Sequence, residues 1–251
     1  MARDQEIMER LQQRLRSDNF WDSDEHWEPD SNCKYNELGQ LIELRLSRLE
    51  LMQVPLEVWQ FSALQRLDLS ENYLDTLPAT LGNLTSLQWL NLSFNNFSIL
   101  PAAVEILTSL QVLGLIGNGF SLLPATVGNL ISLQVLWLDN NRLSTLPAAV
   151  ENLTSLQELG LSRNLFGKLP KVVGNLTSLQ ELDLSENQLS TLPAAIGNLI
   201  SLRTLNLKNN QLSTLPAELW NLTSLEWLGL GKQSTQHPAR ESGKPYVSAT
   251  P

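Results

Sequence analysis

The block LQVLWLDNNRLSTLP at Leu133–Pro147 returns along this chain at a fixed interval of 23 residues. Its first leucine falls at Leu41, Leu64, Leu87, Leu110, Leu133, Leu156, Leu179, Leu202 and Leu225. A proline closes each of the first eight units, at Pro55, Pro78, Pro101, Pro124, Pro147, Pro170, Pro193 and Pro216. A period of this length that never slips means one small unit stacked on copies of itself, each contacting only its neighbours. Leucine supplies roughly a fifth of the chain, well above its usual share, but it is spaced and forms no run of the ~18 apolar residues a membrane span needs.

Within a unit, the L-x-L segment alternates with period two, so Leu136 and Leu138 share one face while Val135 and Trp137 share the other. Each unit therefore predicts one short strand. Nine such strands, stacked in parallel at ~4.8 Å, give a curved sheet on the order of 40 Å long. After the strand, Asn72, Asn95, Asn118, Asn141, Asn164, Asn187 and Asn210 form one column. A buried amide there can satisfy its own turn and the backbone of a neighbouring coil, which reads as a ladder and not a catalytic set. Behind each proline, Val104, Val127, Val150, Val173 and Ile196 point inward, each followed three residues on by Leu107, Leu130, Leu153, Leu176 or Leu199. That spacing suits a short 3₁₀ or single α turn. Phe97, Phe120 and Phe166 share a further interior column.

The pattern L-x-x-L-x-L-x-x-N-x-L from Leu41 to Leu230 resembles the leucine-rich repeat family, and the L-P-x-x-h-G-N-L wording (h apolar) resembles its intracellular 23-residue class. The class includes plant Ras-group, Ras-pathway scaffold and bacterial or cyanobacterial proteins. The resemblance implies an α/β solenoid with a parallel β-sheet on the concave face and short 3₁₀ or α turns on the convex face. It also implies a non-enzymatic scaffold for protein partners such as small GTPases, phosphatases or signalling complexes, and a place in signal transduction. The alternative is the recognition module of a larger enzyme or effector whose catalytic domain lies outside this chain.

Three segments follow: an N-terminal helical cap over 1–40, repeats over 41–230 and a polar tail over 231–251. Ile7, Met8, Leu11 and Leu15 make an apolar helical stripe that can cover the first coil, Phe20, Trp21 and Trp27 add apolar area, and Cys33 is expected to be buried in the cap. Leu49 stands where the ladder predicts Asn. The ninth unit stops after its strand, leaving Trp220, Leu222, Trp227 and Leu228 near an edge open to a partner, to self-association or to a folded-back tail.

Charge and composition narrow the function. A net charge of -9 argues against nucleic acid, which requires a basic stripe. One cysteine excludes an internal disulfide framework, and the N-terminus has no apolar signal region, so a cytoplasmic location is expected. Gly114, Gly117 and Gly119 imitate a phosphate loop, but no helix N-terminus follows them. The N-L-T and N-x-S sequons come from the repeat wording. His26 and His237 lie outside the repeats, and no nucleophilic or metal constellation can be assembled, so neither catalysis nor a cofactor is expected.

A partner site is sought on the variable sheet positions. Trp89, Phe94, Val112, Ile116, Val135 and Trp137 form one apolar patch over repeats three to five that the leucine pattern does not require. Asp139, Glu158, Glu181, Asp183 and Glu186 lie on its C-terminal side, with Arg45, Arg48 and Arg66 on its N-terminal side. The patch predicts a partner with an apolar centre and a basic flank. Gly114 and Gly160 flank Trp137 in its own column, which predicts room for its indole to lie flat or to receive an inserted side chain.

Overall fold

The computed structural model describes residues 2–17, 28–233 and 247–248. Helix α1 (Ala2–Ser17) opens the chain, followed by the short α2 (Pro29–Asn32) and β1 (Cys33–Tyr35). Nine strands then recur once per repeat: β2 (Leu41–Arg45), β3 (Arg66–Asp68), β4 (Trp89–Asn91), β5 (Val112–Gly114), β6 (Val135–Trp137), β7 (Glu158–Gly160), β8 (Glu181–Asp183), β9 (Thr204–Asn206) and β10 (Trp227–Gly229). They form one sheet in sequence order. Each residue pairs with its equivalent 23 positions on, as Leu113 with Leu136 and Leu136 with Leu159. β1 adds antiparallel to β2, and a two-residue β11 (Val247–Ser248) adds parallel to β10.

The sequence periods explain the layers. Leucines on the inner side of each strand, from Leu44 to Leu228, are at most 1% exposed. On the convex side each of the first eight repeats carries a 3₁₀ segment, as at Ala148–Asn152, and none of these becomes a full α-helix. Proline sits one residue ahead of this segment, at the N-cap. Its fixed φ of -66° at Pro147 presents a carbonyl that accepts from Val150 N at 3.1 Å. The expected inward column, Val104 through Ile196, is buried, as are Phe97, Phe120 and Phe166, which fill the space between strand and return segment.

The ladder is present rung by rung. Asn141 Nδ2 donates to Leu115 O at 2.9 Å, Leu138 O at 3.0 Å and Asp139 O at 3.2 Å, while its Oδ1 accepts from Phe120 N at 3.1 Å. One amide thus closes its own turn and the turn of the preceding repeat. The column continues one rung beyond the asparagines. Gln233, 23 residues after Asn210, donates to Leu207 O at 2.7 Å and accepts from Leu212 N at 3.1 Å. Its extra methylene hid it from a search for asparagine.

A second column was not legible as such. Arg48, Glu71, Phe94, Asn140, Arg163, Glu186 and Asn209 all have φ between 52° and 61°, and Gly117 has 65°. These residues turn the chain from the strand into the ladder, and the left-handed conformation is sterically costly for all but glycine and asparagine.

At the N-terminal end, α1 packs on the first 3₁₀ segment, Leu56–Gln60. Ile7, Met8, Leu11 and Leu15 are buried in the common core, and Asp4 Oδ2 accepts from Leu41 N at 2.9 Å. Leu49 is buried, and its amide donates to Asn72. Cys33 is half-buried against the core, short of the full burial expected of it. Phe20, Trp21, His26, Trp27, His237 and nearly all of the tail lie outside the described residues.

Candidate functional site

The sheet places the variable side chains in rows across the strands. In the first row Trp89 pairs with Val112, Val112 with Val135, and Val135 with Glu158. In the second row Gly114 pairs with Trp137, and Trp137 with Gly160, which pairs in turn with Asp183. Neighbours in a row lie ~4.8 Å apart, so Trp89, Val112, Ile116, Val135 and Trp137 make one continuous, half-buried surface. Phe94, at the turn beyond β4, is 50% exposed, and its ring lies across Gly117. Arg66 caps the patch: its guanidinium lies 4.6 Å from the centre of the Trp89 ring. The residues expected to form the apolar site are therefore brought together.

The glycines act differently from expectation. The space above Gly160 is filled by the Asp139 carboxylate, and the space above Gly114 by the Asn91 amide, whose Oδ1 lies 2.5 Å from where a Cβ would stand. Gly160 and Gly114 thus admit polar side chains from the preceding repeat instead of freeing the Trp137 indole. That indole is held: its Nε1 donates to Glu158 Oε1 at 2.6 Å. The bond pins the ring and leaves its face on the concave side.

Beyond Trp137 the face becomes a trough of about 440 Å³. Its walls include Asp139, Glu158, Glu181 and Asp183, with Trp137 on one side and Trp227 on the other. Burial pushes the Asp139 carboxyl upward from its ordinary range. Hydrogen bonds from Ser162, one from the backbone amide at 2.9 Å, oppose the shift, and the nearby Asp183 charge adds to it. Asp183 accepts from Ser185 N at 2.8 Å and from Asn206 Nδ2 at 3.1 Å. Ion pairs elsewhere join Lys34 and Arg45 to Glu43, Arg48 to Glu71, Arg163 to Glu186 and Arg203 to Glu226. Among the described residues none reaches Asp139, Glu158, Glu181 or Asp183. At the far end Lys208 Nζ lies 5.2 Å from the Trp227 ring.

The trough shifts the centre of the site toward the C-terminal repeats. Glu181 belongs to it as one of the acids expected on the C-terminal side, and Trp227, expected only beside the open edge, closes its far end. The 23-residue period gave their columns, but only the curvature of the sheet shows that strands β6 to β10 share one hollow. Among the described residues no cluster of three or more His, Cys, Asp or Glu side chains could hold a metal ion. Among them too, no helix is long and apolar enough to cross a membrane.

A parallel-sheet solenoid with 3₁₀ returns and an asparagine ladder defines a class of repeat proteins that present a concave face to other molecules. Models of a leucine-rich repeat region match residues 22–121, 79–163 and 112–188, and a leucine-rich repeat model matches 177–232. The chain belongs to the leucine-rich repeat family. Among solved structures it is similar to a Leptospira interrogans leucine-rich repeat protein at 36% identity and a TM-score of 0.66, over 73% of this chain and 53% of that one. It is similar to PEPR1 in the PEPR1–AtPEP1 complex at 30% identity and a TM-score of 0.67, over 86% of this chain and 35% of that one. The plant peptide hormone receptor RGFR1, in complex with RGF2, aligns at 28% identity and a TM-score of 0.64, over 80% and 40%. The chain thus spans about half of the bacterial protein and a smaller part of each of the other two. No curated protein matches it.

Proposed function

We propose that this chain is a non-enzymatic binding module that takes a protein or peptide partner on its concave face. One observation carries the reading: Trp89, Val112, Val135 and Trp137 sit in register on adjacent strands, half-exposed, at positions where the fold requires no apolar residue. Phe94, Ile116, Asp139, Glu158 and Asp183 complete the proposed site. Tryptophan is enriched among residues that dominate binding energy, and the acidic side of the patch selects a basic flank in the partner. Two of the similar structures, PEPR1–AtPEP1 and RGFR1–RGF2, are complexes with a second molecule.

The finer reading is a cytoplasmic signalling scaffold of the 23-residue class, with a small GTPase or signalling complex as partner; it rests on the repeat wording. The three segments, a cap over 1–40, repeats over 41–230 and a tail over 231–251, are part of the same proposal. Self-association through the C-terminal edge is the weaker partner reading, because Val247–Ser248 of the same chain pairs with β10 there. The test compares pull-downs by wild type, by Trp89→Ala and Val135→Asp on the concave face, and by the convex control Glu151→Gln. Partners lost only with the concave variants support the reading. Equal recovery by all four proteins overturns it.

A further inference from the structure

Three tryptophans stand on the concave sheet, and two of them already hold a cation. Arg66 lies over Trp89 and Lys208 over Trp227, at 4.6 and 5.2 Å from the ring centres. Trp137 is the third, and among the described residues no cation of this chain lies over its ring. Its surroundings nevertheless suit one better than either of the others. Its Nε1 is fixed on Glu158, and Asp139, Glu181 and Asp183 line the same trough without an ion pair among the described residues. Arg66 and Lys208 show that this sheet seats cations on its indoles; at Trp137 no described residue supplies one.

We propose that the trough takes an arginine of an extended basic segment, its guanidinium against the Trp137 ring and among the Asp139, Glu158 and Glu181 carboxylates. This deepens the concave-face reading and rests on it. The reach fits: four strand spacings from β6 to β10 span roughly 19 Å, which about six residues of extended chain would cover. The apolar surface of Val112, Val135 and Ile116 directly adjoins the trough, so the segment carries apolar side chains beside its arginines. A planar guanidinium stacks on an indole and pairs with carboxylates in a way that a lysine ammonium does not match. The site is thus selective for arginine and not merely for positive charge.

The experiment uses the full chain and fluorescein-labelled hexapeptides alternating leucine with arginine, leucine with lysine, or leucine with glutamate, followed by fluorescence anisotropy. The arginine peptide is expected to bind at least about threefold more tightly than the lysine peptide, and the glutamate peptide not at all. The exposed Glu181→Gln, combined with Glu158→Gln, which still accepts from Trp137, weakens the arginine peptide by about tenfold. Trp137→Leu removes the preference for arginine over lysine, while the convex pair Glu151→Gln and Glu218→Gln changes neither affinity. Equal affinity for arginine and lysine peptides, an equal loss in the convex pair, or no binding by the wild type overturns the proposal. A pulled-down partner lost with Trp89→Ala but retained with Glu158→Gln/Glu181→Gln overturns this inference alone and leaves the concave-face reading standing.

Discussion

Trp137 on β6 donates its indole proton to Glu158 on β7, the residue diagonally across from it, at 2.6 Å. The bond joins an aromatic platform to a carboxylate, so the two respond together. Trp137→Phe keeps a ring on the sheet but removes the donor. It is expected to lower stability by about 1.5–3 kcal/mol, the net worth of a bond to a charged group. Chemical denaturation measures this; a loss above about 3 kcal/mol would mean that packing, and not the bond, dominates at this position.

Asn141→Ala leaves the carbonyls of Leu115 and Leu138 and the amide of Phe120 without their side-chain partner. The expected cost is about 1–3 kcal/mol. A melting curve unchanged by the substitution contradicts the ladder.

Phe94 holds a left-handed φ of 56° while half of its surface faces solvent. Asparagine adopts that conformation at lower steric cost than phenylalanine. Phe94→Asn is therefore expected to hold or raise the melting temperature, despite losing the ring's cover over Gly117, while weakening capture of the partner. A fall in stability with binding intact would reverse the roles assigned to this side chain.

Gly174 faces the Ala195 carbonyl so closely that an added Cβ meets backbone and cannot be relieved by a side-chain rotation. Gly174→Ala forces adjacent 3₁₀ segments apart, at a cost of about 1–3 kcal/mol. The effect should exceed that of Gly167→Ala, where the added atom meets nothing within 4 Å. Thermal unfolding of the two variants decides the comparison.

Two carboxylates set opposite pH dependences. Burial raises Asp139, so the folded state holds its proton to higher pH than the unfolded chain. Between the ordinary value of 3.8 and the raised one, its contribution to stability falls as pH rises. Asp139→Asn keeps an acceptor for Ser162 and should raise the melting temperature at pH 7, with the gain vanishing in acid. Burial also pushes Glu43 up, but hydrogen bonds and charge from Lys34 and Arg45 outweigh it and leave the group lowered. Its stabilisation is present above 4.5 and is lost as pH falls through the lowered value. Melting temperatures across the acid range, for wild type and Glu43→Gln, test that sign.

The repeat geometry was legible because leucine, asparagine and proline recur at fixed offsets, and each has one physical task in the coil. The apolar patch was legible for the converse reason: Trp89, Val112 and Trp137 break the pattern at positions the core does not use. What the sequence concealed depends on side-chain reach. That Asp139 fills the space over Gly160 and Trp137 ties to Glu158 follows from rotamers, which a period cannot report. The left-handed column was hinted at by Gly117, Asn140 and Asn209, but Arg48, Glu71 and Phe94 in the same column masked the hint. Gln233 was missed because only its amide, and not its length, matches the asparagines above it.

The direction of the amide bonds has a consequence for synthesis. Every rung reaches backward: Asn141 serves carbonyls and an amide that precede it by as many as 26 residues. A coil leaving the ribosome therefore keeps unmet backbone groups until the next unit emerges behind it. During synthesis each finished turn is made secure by the following one. A translational pause after a given unit leaves its turn open, and even the first unit, with the greasy lid of α1 already made, waits on Asn72 for the amides of Leu49 and Leu51.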